Sequence, residues 1–453
     1  MMSDHSMKSA TPHPSHDSIP AGSSRATTSS EGPVQGSPVS ASLLIRLVFM
    51  MLLQFLVFGS WFATFGLVLA SHGLAMVIGA AYSLAAVAAI LSPMLLGAIA
   101  DRFMASQKAL GIAHLCGGVV MLALPSSVAA GHGALALVLI FVYMLFFQPT
   151  LGLAPAIALR HLRGAEHRFP TVRVFGTLGW VIAGVLVGAL GLSASTNLFY
   201  VTAAFSIVYG LYAFTLPHTP APAKGVRFRI GDVVGAQAFR LLRHPNFAAL
   251  MVCAVLTAVA LGVYNSYSAT FLGVMGIENV AGVLAIGQAA EVAFILTIPF
   301  AVKHFGMKWS LFAGMVMWGI RFVVFIAAGA TGSVGLAVLG VALQGICNDF
   351  FLVLAAMYIG TVVPLRLSAQ AQGMLILMVS GFGQLIGSFL SGQVYNATIA
   401  ANPAATAADW WPVFLIPIIS GALTAVVWVV FFRQRRDDTV ERFEDPETAG
   451  AAA

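Results

Sequence analysis

Charge is scarce in this chain. Asp, Glu, Lys and Arg make up 8% of its residues, against about 25% in an ordinary soluble domain. With 59% hydrophobic residues over 453 positions, a soluble fold could not cover its surface with polar groups. Cysteine is scarcer still. Cys116, Cys253 and Cys347 lie far apart in apolar runs, which excludes a disulfide framework and a paired zinc motif. His5, His13 and His16 are scattered along the first residues without ligand spacing. No Walker sequence occurs, and "GFGQLIG" at 381–387 has no preceding strand, so neither ATP hydrolysis nor dinucleotide binding is expected. No Ser/His/Asp or His-x-x-x-His arrangement falls at depth. The chain reads as a non-enzyme with no cofactor and no metal.

What is present is a series of long apolar blocks, at about 43–70, 75–100, 108–129, 133–160, 170–192, 197–216, 246–272, 280–302, 308–328, 332–363, 369–395 and 411–432. Most have the length that crosses a bilayer. The expected fold is therefore an all-α integral membrane protein with twelve transmembrane helices. Alternate connections carry the basic residues, among them Arg102, Lys108, Arg160, Arg163, Arg168, Arg240, Lys303, Lys308 and Arg366; the opposite ones hold His72, His132, Glu278 and Asp409 and no Lys or Arg. Cytoplasmic loops collect Lys and Arg, so both termini are expected in the cytoplasm. The +6 net charge follows from this asymmetry, and no nucleic-acid partner is needed to explain it. Residues 1–42 are rich in Ser, Pro, Gly and Thr, with no apolar core of the kind an export signal needs, and read as a disordered tail. Residues 433–453 form a second cytoplasmic tail.

The basic, Pro-bounded linker 217–245 divides the blocks into an N-terminal half, 43–216, and a C-terminal half, 246–432. "SPMLLGAIADRFMASQKAL" in the first half is faintly echoed by "TIPFAVKHFGMKWSL" in the second. Six-helix repeats around a midplane site are a transporter architecture.

Of 16 acidic residues, only Glu291 and Asp349 fall well inside predicted spans. A carboxylate at mid-bilayer costs roughly 2.5–3.5 kcal/mol on insertion scales, so both should face a bundle interior or a wet cavity. One reading is an ion pair that locks helices, with Arg321 as partner. The other is a solute or proton site. Gln288 and Glu291 stand at i and i+3, and Gln344 and Asn348 at i and i+4, so each pair shares a helix face. Asn265 adds a third helix to this gathering of amides and acids, which suits hydroxyls and heterocycle edges. In the first half, Arg173 and Thr177 open the fifth block. By physics alone Arg173 is an interfacial snorkelling arginine, and His114 is a packing histidine.

Four stretches together carry a resemblance: "QPTLGLAPAIALRHL", "FPTVRVFGTLGW", "GQAAEVAFILTIPFAVKHFG" and "NDFFLVLAAMYIGTVVPLRLSAQAQGMLILMVSGFGQLIGSFLSG". In order and spacing they resemble the nucleoside:proton symporter family of the major facilitator superfamily over most of 43–432. That resemblance implies solute-binding residues at Arg173, Thr177, Asn265, Gln288, Glu291 and Asp349, and brings Arg173 into the cavity. It also marks departures. The family carries an amide where this chain has Gly262, and aromatics where it has Gln344 and Asn348.

The expected function is proton-coupled nucleoside symport across the inner membrane by a monomer embedded in the lipid bilayer. Gln344 and Asn348 join the binding set, and Asp349 or Glu291 carries the proton, Asp349 by preference. Ionised, Asp349 is expected to pair with Arg173 or bind ribose hydroxyls. One alternative keeps the fold and carries a sugar or another polyhydroxylated solute. A second is a sensor that binds without transporting; counterflow separates it from a transporter.

Overall fold

The computed structural model describes residues 40–92, 103–221 and 238–433, apart from the side chains of Ala238, Leu365 and Arg366. The "GAIADR" turn, most of the 217–245 linker and nearly all of both expected tails lie outside the described residues. Within them the chain is helical throughout. Ten helices are long and apolar enough to cross a membrane, and two more, Leu198–Ala213 and Val280–Ile295, are apolar but shorter.

The block expected as one helix over 43–70 is broken. Helix α1, Ala41–Gly59, starts at Ser40, whose Oγ accepts from the Leu43 N–H, and ends in a turn before α2, Phe65–Ser71. A break inside lipid needs other partners for its freed backbone groups. Tyr82 on α3, Ile78–Ser92, supplies them: its hydroxyl donates to the Phe62 carbonyl at 2.6 Å and accepts from the Gly66 N–H at 3.3 Å.

α4 (Ser106–Ala129), α5 (Gly133–His161), α6 (Phe169–Ala189) and α7 (Leu198–Ala213) complete the N-terminal set. After the linker come α8 (Pro245–Val274) and α9 (Val280–Ile295). The expected border near residue 305 is different in kind. α9 stops at Ile295, and α10 runs over Ile298–Thr331 with a kink at Gly306, φ 74° and ψ 168°. Pro299 has no N–H to continue the ladder of α9. Gly306 sits in the left-handed region, which glycine alone enters without strain. α11 (Val334–Val362), α12 (Leu367–Ala400) and α13 (Ala407–Phe431) close the chain. α11 and α12 contain π-helical turns at Asp349–Val353 and Leu377–Gly383.

The N-terminal and C-terminal sets meet through α6 against α9, α3 against α12, and α2 against α8. Backbones cross closely there. A Cβ on Gly188 would lie 1.9 Å from Asn279 Oδ1, and one on Gly79 would lie 2.5 Å from the Gly392 Cα. The Ala281 N–H donates to Ser193 Oγ at 3.2 Å, and Asn396 Nδ2 donates to the Met76 carbonyl at 2.9 Å. These contacts lie at the helix ends remote from the turn that bears Arg163 and Arg168. At the near end of α6, by contrast, Arg173 and Val174 are exposed. α3 and α12 stay packed further along: a Cβ on Gly381 would lie 2.7 Å from Ile90 Cγ1.

Candidate functional site

Glu291 lies in the last half of α9 and is half-buried. Three amide N–H groups converge on one of its oxygens. Gln288 Nε2 donates to Oε1 at 3.1 Å from the preceding turn, Gln344 Nε2 at 3.4 Å, and Asn348 Nδ2 at 2.5 Å, the last two from α11. The i, i+4 spacing of Gln344 and Asn348 brings both to the same acceptor. Hydrogen bonds to an ionised carboxylate are stronger than neutral ones, so this set holds Glu291 in place as an acceptor.

Asp349 begins the π-helical turn of α11 and is 4% exposed. The extra residue of such a turn breaks the i→i−4 ladder, and these turns recur at functional sites. Asp349 Oδ2 and Asn348 Oδ1 are both buried without a hydrogen-bond partner. Asp349 and Glu291 are close enough to feel each other's charge. Two adjacent side chains thus present unsatisfied acceptors beside a saturated one.

Asn265, half-buried on α8, donates from Nδ2 to Gln384 Oε1 at 2.9 Å. Gly262, one turn earlier, has no room for a side chain: a Cβ there would lie 2.8 Å from the Gln384 carbonyl oxygen. Close packing of α8 on α12 therefore accounts for the glycine where the resemblance implies an amide. From the N-terminal set, Arg173 on α6 lies within electrostatic range of Glu291. Its guanidinium sits over the Phe55 ring, 4.9 Å from the centroid. The expected Asp349–Arg173 pairing is therefore absent from this conformation, because Phe55 holds Arg173 and Asp349 Oδ2 has no donor. Thr177 is half-buried on the same helix, one turn on.

Arg321 does not lock against either acid directly. Gln344 stands between, accepting from Arg321 Nη1 and donating to Glu291. The sequence offered only the residue type of Arg321, since the 23 positions to Gln344 carry no periodic signal. Gln384 went unselected for a similar reason: its partner Asn265 lies 119 positions away. His114 is where packing physics puts it, buried with Nδ1 near Ser206 Oγ at 3.2 Å and Nε2 near Gln54 Oε1 at 3.3 Å.

The family described as "Nucleoside H+ symporter" matches residues 41–437. The chain is 33% identical over 418 residues to the putative nucleoside transporter YegT of Escherichia coli, covering 89% of this chain and 97% of the relative. It is 29% identical to the xanthosine permease of the same organism, covering 87% and 97%. A solved structure of the nucleoside transporter NupG superposes with a TM-score of 0.75 at 28% identity, over 87% of this chain and all of that one. A D-xylose-proton symporter superposes with a TM-score of 0.66 at 14% identity, a likeness of fold.

Proposed function

The chain belongs to the nucleoside H+ symporter family, and from that premise we propose that it carries nucleosides together with protons across the cytoplasmic membrane. In this reading the helices form twelve spans in two six-helix halves, 43–216 and 246–432, with both termini in the cytoplasm and one copy sufficing for transport. The basic turns then mark the cytoplasmic side. The two halves rock about the solute, exposing it first to one side and then to the other.

The observation that carries the proposal is the convergence of Gln288, Gln344 and Asn348 on Glu291, beside the unpartnered acceptors of Asn348 and Asp349. Amide and carboxylate groups in a half-buried cleft match the hydroxyls of ribose and the N–H and C=O edges of a base. Arg173 and Thr177 face them from the N-terminal half, and Asn265 completes the C-terminal side. Asp349 takes the proton. Its Oδ2 has no donor, so an arriving proton or a solute O–H is what satisfies it. Low-dielectric surroundings disfavour two neighbouring ionised carboxylates, so the charge of Glu291 couples to that of Asp349. Glu291 remains the second possible carrier.

Uptake of labelled uridine and adenosine into proteoliposomes under an imposed inward proton gradient tests this reading. Saturable accumulation that collapses with a protonophore is expected. Saturable uptake indifferent to the gradient would remove proton coupling, and no nucleoside uptake at all would remove the substrate class. The amides at 344 and 348, where the resemblance implies aromatics, favour one second reading, a polyhydroxylated solute such as a sugar. Strong competition by sugars and weak competition by nucleosides would select it.

A further inference from the structure

Arg321 has no part in the transport scheme above, yet it is fully buried, with no accessible surface. Taking a guanidinium out of water is unfavourable unless its surroundings compensate. The Tyr264 ring lies under it, 3.8 Å from the guanidinium carbon, and Trp318 and Phe325 flank it at 5.1 and 5.8 Å. Its Nε donates to the Gly340 carbonyl at 3.1 Å, and Nη1 donates to Gln344 Oε1, while Nη2 has no partner. Gln344 is buried too and turns its Nε2 toward Glu291. A cation, an amide dipole and an anion stand in line. Only one orientation of that amide is favourable. Turned over, it would set N–H groups against the guanidinium and a carbonyl against the carboxylate.

Resting on the nucleoside reading, we propose that Arg321 is a positioning residue for solute selection, acting through Gln344. It holds the donor edge of Gln344 toward Glu291. Glu291 Oε1 is then filled by protein donors, and the acceptors left for the solute are the second Glu291 oxygen and those of Asn348 and Asp349. A site so arranged selects base edges that present an N–H donor there. Without Arg321 the Gln344 amide is free to turn, and its carbonyl competes for the donors that now bind Glu291.

Uridine and cytidine, and likewise inosine and adenosine, exchange a donor for an acceptor at the base edge, so the ratio of KM values within each pair reads the amide's orientation. Uptake by the full-length protein should show Arg321→Met shifting at least one of these ratios by about 10-fold, the size of one hydrogen bond to a charged group. Arg321→Lys, which keeps the charge and the ring contact but loses the fork, should shift it less. Gln344→Met should shift it as much as Arg321→Met, and the double variant no further. Proportional loss for all four nucleosides, or additive effects in the double variant, would overturn the proposal and leave Arg321 a structural residue.

A solute-free arm separates this result from the nucleoside reading. Melting temperatures are measured for Arg321→Met, Glu291→Gln and the pair, with Gln344 intact and with Gln344→Met. Coupling between Arg321 and Glu291 is expected only while Gln344 is present. Coupling that survives Gln344→Met, or is absent from the parent, overturns the relay. A parent that takes up no nucleoside overturns the substrate reading alone, and the melting cycle still decides whether Gln344 links the two charges.

Discussion

Two buried polar clusters, one in each set of helices, use similar residues to opposite ends. Among the N-terminal helices, Gln54 Nε2 donates to Thr150 Oγ1 at 2.9 Å, Thr150 Oγ1 donates to the Phe147 carbonyl at 2.6 Å, and the His114 ring bridges Gln54 and Ser206. Every polar side-chain atom of these four residues has a partner, and all four residues are buried. Among the C-terminal helices, Asn348 Oδ1, Asp349 Oδ2 and Arg321 Nη2 are equally buried and have none. A satisfied network ties helices together and offers nothing to a ligand. An unsatisfied one is unfavourable until something arrives to complete it. The contrast is one between two clusters: the tied one draws on α1, α4, α5 and α7, the incomplete one on α10 and α11 beside Glu291 of α9.

The sharpest way to break this contrast is Asp349→Asn, which keeps the shape and removes the titration. Accumulation under a proton gradient should fall to the gradient-free level, while counterflow exchange persists. An Asp349→Asn protein that concentrates solute like the parent would return the proton to Glu291 or elsewhere. Next in size is Glu291→Gln, which removes the charge on which three N–H donors converge and puts an NH2 in place of one oxygen. It should raise KM by about 10- to 100-fold, from one or two lost hydrogen bonds to a charged group, with a folded, monodisperse protein by size exclusion. Least in its effect on transport is Ser206→Ala, which strips one partner from His114. It should lower the melting temperature by a few degrees, consistent with about 1 kcal/mol in a domain of this size, and leave KM within about twofold. A KM that moved as far as with Glu291→Gln would end the distinction between the two clusters.

Much of this was legible in the sequence because it depends on local spacing or on the cost of charge in lipid. The apolar blocks and the alternation of basic turns are one-dimensional patterns. Gln288 with Glu291, and Gln344 with Asn348, share faces by helical period, and the two pairs converge on one oxygen. Glu291 and Asp349 stood out because carboxylates are rare inside apolar runs. What stayed illegible depends on residues far apart in the chain. Nothing near position 60 says that Tyr82 will serve a broken helix. Nothing near 321 says that an amide will separate the arginine from the acid. The π-helical turn at Asp349 has no propensity signal, because it is set by how α11 packs on its neighbours.

The seam where Gly79 meets Gly392 and Gly188 meets Asn279 bears on how the proposed cycle is driven. Where Gly79 meets Gly392, backbone lies directly on backbone, so parting it at that point uncovers little side-chain surface and forfeits little hydrophobic stabilisation. In the proposed cycle such a contact lowers the cost of leaving this conformation. A ligand shifts such an equilibrium only by the difference in its affinity for the two states. The less stabilisation that parting forfeits, the smaller the difference in affinity that a proton and a small solute must supply.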